Sequence, residues 1–322
     1  LANANTGSTP LSILRHISQL PQWAWYRLRA GYRHARVHRA LTRLAGPQYV
    51  RSRDRIEIDL TYACNLRCLN CNRSITQAPD KMHMSRAMIQ DFVAESISRG
   101  KRWATIRLLG GEPTLHPDFL GVLDDLLQYK RWHPACVVQV VTNGNGKGVQ
   151  TMLKKIPAGI VIENSAKTGN LQPSFGPFNL APADDPAYRH ADYRNGCAVM
   201  SECGMALTPL GYYPCAVAGG IDRIEGNRLG VAHLPDDADD MLAAAERLCR
   251  LCGHFREGHF TPEHLRPPTL EQKLSPTWVA LYQAWRQDRK GRKAETPPVL
   301  TEYQLRFHPM PAARRRAPEV ES

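Results

Sequence analysis

Four apolar runs that alternate with helical spacing between residues 55 and 163 constrain this chain more than any other feature. "RIEIDLT" (55–61) alternates Ile56, Ile58 and Leu60 with polar residues, the period of a half-covered strand. "WATIRLL" (103–109), "CVVQVV" (136–141) and "GIVIE" (159–163) read as three more strands. Between the first two, Ser85 can cap a helix that carries Ile89, Phe92, Val93 and Ile97 and ends at Gly100. Asp118 to Tyr129 reads as a second helix, with Leu120, Leu123, Leu126 and Leu127 inward, and a short helix near 149–155 precedes the fourth strand. Strands that alternate with helices predict an α/β fold, a parallel sheet or barrel whose ligands sit at the C-terminal strand ends. The unusual loops fall at those ends: "CNLRCLNC" after the first strand, "GGEPTLHP" after the second and "TNGNG" after the third.

Cys64, Cys68 and Cys71 lie within eight positions of one another, with no fourth cysteine beside them. Thiolates are the usual ligands of iron–sulfur clusters, and a four-iron cubane has four corners, so three cysteines leave one iron open. A closed zinc site is the alternative, and His83 could supply its fourth ligand.

The strand and helix alternation then stops. Residues 165–195 are rich in Pro, Gly, Asn and Asp, and five further cysteines follow: Cys197, Cys203, Cys215, Cys249 and Cys252. "MALTPLGYYPC" (205–215) reads as a hairpin turning near Gly211, and "MLAAAERLCRLCG" (241–253) as a helix closed by Gly253. That helix would place Cys249 and Cys252 one turn apart on the same face. "PTWVALYQAWRQDRK" (276–290) is an amphipathic helix candidate, and the Pro-rich and Arg-rich remainder reads as loose. Nine cysteines are an odd number, and they cluster, which favours metal ligation over a disulfide framework. Cys136, at the start of an apolar strand, reads as core.

On "CNLRCLNC" and "GGEP" the chain resembles the radical S-adenosylmethionine superfamily over about residues 55–164. The resemblance implies a partial (β/α) barrel in which Cys64, Cys68 and Cys71 hold a [4Fe–4S] cluster. Its open iron would chelate S-adenosyl-L-methionine, whose reductive cleavage gives a 5′-deoxyadenosyl radical that abstracts hydrogen from substrate. Gly110 and Gly111 of the Gly110–Pro113 quartet would let backbone approach a ligand, and Glu112 would accept from the methionine ammonium group. Thr142, Asn143 and Glu163, at the third and fourth strand ends, are candidate cofactor contacts, with ordinary turn chemistry as the other reading of "TNGNG". The family carries an aromatic or large apolar residue where this chain has Asn70.

The later cysteines are similar to the auxiliary-cluster modules called SPASM and twitch, the shorter twitch form fitting better. That implies a second [4Fe–4S] cluster on Cys197, Cys215, Cys249 and Cys252, with Cys203 as the alternative first ligand and zinc on the same residues as the other metal. A Cys203 left unligated could donate hydrogen to a substrate radical, as in an epimerase.

The net charge of +12 is uneven, since residues 1–53 hold nine arginines and no Asp or Glu. "WAWYRLRAGYRHARVHRALTRLAG" (23–46) suits a basic helix that could meet phosphates, an acidic partner or a membrane surface, or simply be solvated. The expected divisions are a basic helical arm (1–53), the partial barrel (54–195), an auxiliary-cluster module (196–260) and a C-terminal helix and tail (261–322). No run of 18 apolar residues and no secretory-signal layout occur, so a cytoplasmic protein without a membrane span is expected. The expected function is a radical enzyme, an oxidoreductase or epimerase, acting on a polar small molecule such as a sugar, aminocyclitol or nucleotide. The basic arm suits an anionic substrate. An external electron donor such as flavodoxin or ferredoxin is implied, and a nucleic-acid partner is not. A maturase of ribosomally made peptides, and a non-catalytic iron–sulfur or zinc regulator, are the alternatives.

Overall fold

The structure, a computed structural model, describes residues 10–167, 170–171, 176–265 and 272–291. The four strands form where the alternation places them: β1 (Arg55–Thr61), β2 (Thr105–Gly110), β3 (Val137–Thr142) and β4 (Ile160–Asn164). They pair in parallel in the order β4-β3-β2-β1, with Ile58 opposite Leu108 and Leu108 opposite Val140. Two more strands extend the sheet. β5 (Met205–Thr208) lies parallel to β1, with Met205 opposite Ile56, and β6 (Gly211–Tyr213) returns antiparallel to β5. The expected hairpin is therefore present but belongs to the same sheet. It turns ahead of Gly211, whose φ of +110° opens β6.

The period of two in β1 separates two environments. Ile56, Ile58 and Leu60 are fully buried in one core with Ile89 and Phe92 of α3 (Arg86–Ser98) and Leu123 and Leu126 of α4 (Phe119–Trp132). Burial of each such side chain stabilises the fold by about 1.5–3 kcal/mol. Ser85 caps α3 as its sequence predicts, its hydroxyl accepting from the Met88 N–H at 3.3 Å. α4 is rotated slightly from expectation. Phe119, Val122 and Tyr129 share its buried face, while Leu120 and Leu127 are only half-buried.

The opposite face of the sheet carries Glu57 and Asp59 of β1, and beyond it lies a second core. α6 (Ala216–Glu225), α7 (Leu242–Cys249), α8 (His254–Glu257) and α9 (Pro276–Gly291) build it around Tyr213, Ile221, Leu248, Phe255 and Trp278. α7 ends at Cys249, not Gly253, so Cys252 lies in the turn before α8 and does not share a helix face with Cys249. The tail after residue 291 lies outside the described residues.

The basic arm forms α1 (Pro10–Arg36) and α2 (Arg39–Ala45). Buried Arg33 fastens α1 to α8, donating from Nε to the Phe255 carbonyl at 3.1 Å and from Nη1 to Gln48 Oε1 at 2.6 Å. Its guanidinium also lies 4.5 Å from the Phe255 ring centroid. Among the described residues no helix is long and apolar enough to cross a membrane.

Candidate active site

Cys64, Cys68 and Cys71 leave the C-terminal end of β1 on a loop that the next two strand ends hold in place. The Gly111 N–H donates to the Thr61 carbonyl at 2.7 Å, and the Glu112 N–H to the Ala63 carbonyl at 2.9 Å. A Cβ on Gly110, whose φ is +118°, would overlap the Thr61 carbonyl oxygen, and one on Gly111 would overlap that of Ala63. The two glycines thus answer to the backbone of the cysteine loop, where the sequence suggested approach to a ligand. Pro113 starts a buried turn, Pro113–Leu115, behind them.

Glu112 is held by the protein's own groups. Its carboxylate is fully buried, and protein donors engage both oxygens. Oε1 accepts from the Thr142 hydroxyl at 2.8 Å and the Thr114 hydroxyl at 2.7 Å, and Oε2 from the Asn143 N–H at 2.8 Å. The carboxylate ties the β2 loop to the β3 loop. Asn143 completes the tie by donating from Nδ2 to Asn65 Oδ1 at 2.9 Å, beside Cys64 Sγ at 3.9 Å. Asn70 is buried within the same loop.

Cys68 is buried and Cys64 and Cys71 are half-buried, and all nine cysteines are free. Burial pushes the Cys64 thiol up to about 11, the Leu66 N–H opposes the shift, and the nearby Cys71 and Cys68 add to it. Burial raises Cys68 as well, and two buried thiols held up in this way are suited to a cation that displaces their protons. His83 is not with them. Its backbone bridges Thr61, and its ring meets His116 edge-on at 5.5 Å. Among the described residues no three His, Cys, Asp or Glu side chains gather as one metal ion needs. A zinc ion holds four ligands at about 2.0–2.3 Å and so draws them together, whereas a cubane keeps its thiolates apart. The donor set fits the cluster better.

Below the loops, the inner face of the sheet is charged. Arg73, from the loop after Cys71, donates to Asp59 through Nε at 3.2 Å and to Glu57 Oε2 through Nη2 at 3.0 Å. Arg107 links Glu57 Oε1 at 2.8 Å to Glu163 Oε2 at 3.1 Å, and Gln139 Nε2 donates to the same Glu163 oxygen at 2.6 Å. This ladder runs from buried Asp59 to Glu163, whose side chain is 44% exposed. Glu163 therefore belongs to the ladder, apart from the loops that surround Cys64. Glu57, Asp59, Arg73, Arg107 and Gln139 were missed in the sequence, although the polar positions of "RIEIDLT", "WATIRLL" and "CVVQVV" carried the signal for all but Arg73.

Cys197, Cys215, Cys249 and Cys252 line a single cavity with Met200 and Phe255. All four are nearly buried, at 5–7% exposure. Burial and then the neighbouring thiols push Cys215, Cys249 and Cys252 up. Four free thiols around one space form a donor set of the kind that a cluster or a zinc ion takes. Cys203 does not line this cavity. It ends the turn Val199–Cys203 and is half-buried. Burial, then the negative charge of Glu57, pushes its thiol above its ordinary value, with Arg107 and Arg73 opposing.

No protein-family model matches the chain, and a search of curated proteins finds no match. Among solved structures, BtrN in an open conformation is 17% identical, over 64% of this chain and 86% of its own, with a TM-score of 0.35. BtrN in complex with AdoMet and 2-DOIA is 13% identical, over 65% and 89%, also at 0.35. SuiB of Streptococcus suis bound to S-adenosylmethionine is 18% identical, over 38% of this chain and 27% of its own, at 0.28. Likeness at these scores carries no argument about chemistry.

Proposed function

We propose that the chain is a radical S-adenosylmethionine enzyme with an auxiliary [4Fe–4S] cluster that acts on carbon of a polar small molecule. The observation that carries this reading is the fastening of the three-cysteine loop, at the C-terminal end of β1, to the Gly110–Pro113 turn. Cys64, Cys68 and Cys71 would hold one cluster, and Cys197, Cys215, Cys249 and Cys252 the other. When bound, the first cluster and S-adenosylmethionine supply reductive cleavage of the sulfonium and abstraction of a hydrogen atom from substrate. Gly110, Gly111, Glu112, Pro113, Thr142 and Asn143 fix the loop that presents the open corner. An external one-electron donor such as flavodoxin or ferredoxin is required.

The ladder supports a polar substrate. Glu57, Asp59 and Glu163 set three carboxylates against the two guanidiniums of Arg73 and Arg107, an excess of one negative charge. That excess favours a hydroxylated or aminated molecule over the anionic one suggested by the basic arm. Cys203, outside the four-thiol cavity and within the field of the ladder, is assigned as hydrogen donor. Its S–H would pass a hydrogen atom to the substrate carbon, and the sulfur radical left behind would need one electron and one proton from the external reductant.

Anaerobic reconstitution should give about eight iron and eight sulfide per chain, from two four-iron clusters. Reduction with S-adenosylmethionine should release 5′-deoxyadenosine, and a loaded, reduced protein that releases none would overturn the reading. Cys197→Ala should lose about four iron. Cys203→Ala should keep them all and leave the substrate radical unquenched; loss of iron from that variant would make it a ligand.

A further inference from the structure

We propose that the N-terminal helix docks this protein on an anionic lipid surface. Among the described residues twelve large hydrophobic side chains are exposed, and seven of them lie between Trp23 and Val50. Trp25, Leu28 and Tyr32 recur at steps of three and four, so they share one face of α1. They are 62%, 68% and 61% exposed. Arg33 lies off this stripe and is buried, and its bonds to Phe255 and Gln48 hold that side against the body. The helix is thus anchored with its aromatic stripe turned outward. α2 adds Leu41 and Leu44, the latter 86% exposed.

The charge around this stripe selects its partner. Residues 1–53 contain nine arginines and not one Asp or Glu. Arg27 and Arg43 are exposed, and the Arg27 guanidinium stacks over Trp23 at 5.5 Å. A two-fold contact between copies of this chain would set arginine against arginine with no carboxylate from residues 1–53 to pair them, which argues against a second copy here. Phosphodiester backbones give arginines a partner but give Leu28 and Leu44 none. A helix with Trp, Tyr and Leu on one face, arginines at its flanks and no carboxylate is built for the headgroup boundary of a bilayer. The aromatic rings would enter to headgroup depth, and the guanidiniums would pair with lipid phosphates. The helix would lie on the surface, in keeping with the lack of a spanning helix among the described residues. This surface is independent of the chemistry proposed for the sheet.

The test uses the full reconstituted chain in flotation with vesicles of phosphatidylcholine alone and of phosphatidylcholine mixed with phosphatidylglycerol. Binding to the anionic vesicles is expected to be at least about tenfold tighter and to weaken as salt rises. Tryptophan emission should move to shorter wavelength on binding. Trp25→Ser/Leu28→Ser should reduce binding to anionic vesicles about tenfold or more with iron content and circular dichroism unchanged. Arg27→Gln/Arg43→Gln should remove the preference for phosphatidylglycerol. Equal binding to both vesicles, or none, overturns the proposal. So does full binding by the Trp25→Ser/Leu28→Ser variant, which would leave only a polyanion contact that a duplex oligonucleotide would share. A dimer that ignores vesicles and becomes monomeric in that variant would instead make the stripe an interface between copies.

Discussion

Replacing Arg73 by Met removes a guanidinium that two buried carboxylates share. Arg73 reaches Asp59 at 3.1, 3.2 and 3.3 Å and Glu57 at 3.0 Å. Glu57 keeps Arg107 at 2.8 Å, so the damage falls on Asp59, which is 0% exposed and whose hydrogen bonds all come from Arg73. Removing one partner of a buried pair costs about 3–5 kcal/mol. The lower end is expected, because Arg223 also lowers the cost of charge on Asp59 while bonding the Ala78 carbonyl. For a chain of this size that corresponds to a fall of roughly 4 °C in melting temperature. The penalty also has a pH signature. Burial already holds the Asp59 carboxyl above its ordinary value, with Arg73 opposing, and removing the guanidinium raises it further. The deficit should therefore be constant at low pH, where Asp59 is neutral in both proteins, and grow by up to about 1.4 kcal/mol per unit only between the parent's folded value and the higher one of the variant. Arg73→Met/Asp59→Leu should recover most of the loss, since an apolar replacement of both partners is close to neutral. Thermal and urea unfolding by circular dichroism at pH 5.5 and 7.5 measures all three quantities. A single variant within about 1 kcal/mol of the parent at pH 7.5, or a deficit that ignores pH, would refute the assignment of Arg73 as the counter-charge of Asp59.

Two other outcomes follow from the geometry. Gly111→Ala places a methyl group on the Ala63 carbonyl. It should displace the Cys64 loop, so that about four of eight reconstituted irons are lost while the four-thiol cavity keeps its share. His259 is held below its ordinary 6.5 by burial, then by the charges of Arg29 and Arg33. The folded state therefore binds fewer protons than the unfolded one, and stability present above pH ~6.5 is lost as pH falls. Melting curves between pH 5 and 7.5 should show this slope, and His259→Phe should flatten it, apart from the loss of the Tyr49 hydroxyl contact at 3.0 Å.

Periodicity made the first four strands and α3 legible, because alternation in "RIEIDLT" and the Ser85 cap are local signals that packing did not override. The place of β5 was not legible. "MALT" pairs with β1 from about 150 residues away, and nothing local tells an added sheet strand from a separate module. The choice between Cys197 and Cys203 turned on the same point. Spacing from Gly211 left both open, whereas the turn Val199–Cys203 and Gly204, at φ +114°, send Cys203 towards Glu57 and leave Cys197 at the cavity. The bonds that Thr142 and Asn143 make to Glu112 were not legible either, because "GGEP" shows a carboxylate beside glycines and cannot show what faces it.

The charged inner face is the part of the molecule that stability explains least. A barrel interior of Val, Ile and Leu would pack solid, while burying Glu57, Asp59 and Arg73 gains little over apolar side chains of similar volume. What the ions do is keep that interior polar and open at the Glu163 end, where the side chain is 44% exposed. Strand rise fixes the scale. Glu57 lies four residues below Thr61, about 13 Å at ~3.3 Å per residue. A molecule resting on Arg107 and Glu163 would therefore lie between the cysteine loop at the strand ends and Cys203 near the strand starts. A thiol that returns hydrogen must approach the carbon from the side opposite the group that removed it. Of the free cysteines outside the two thiol groups, Cys136 is buried in the helix-side core and only Cys203 lies on the ladder side of the sheet.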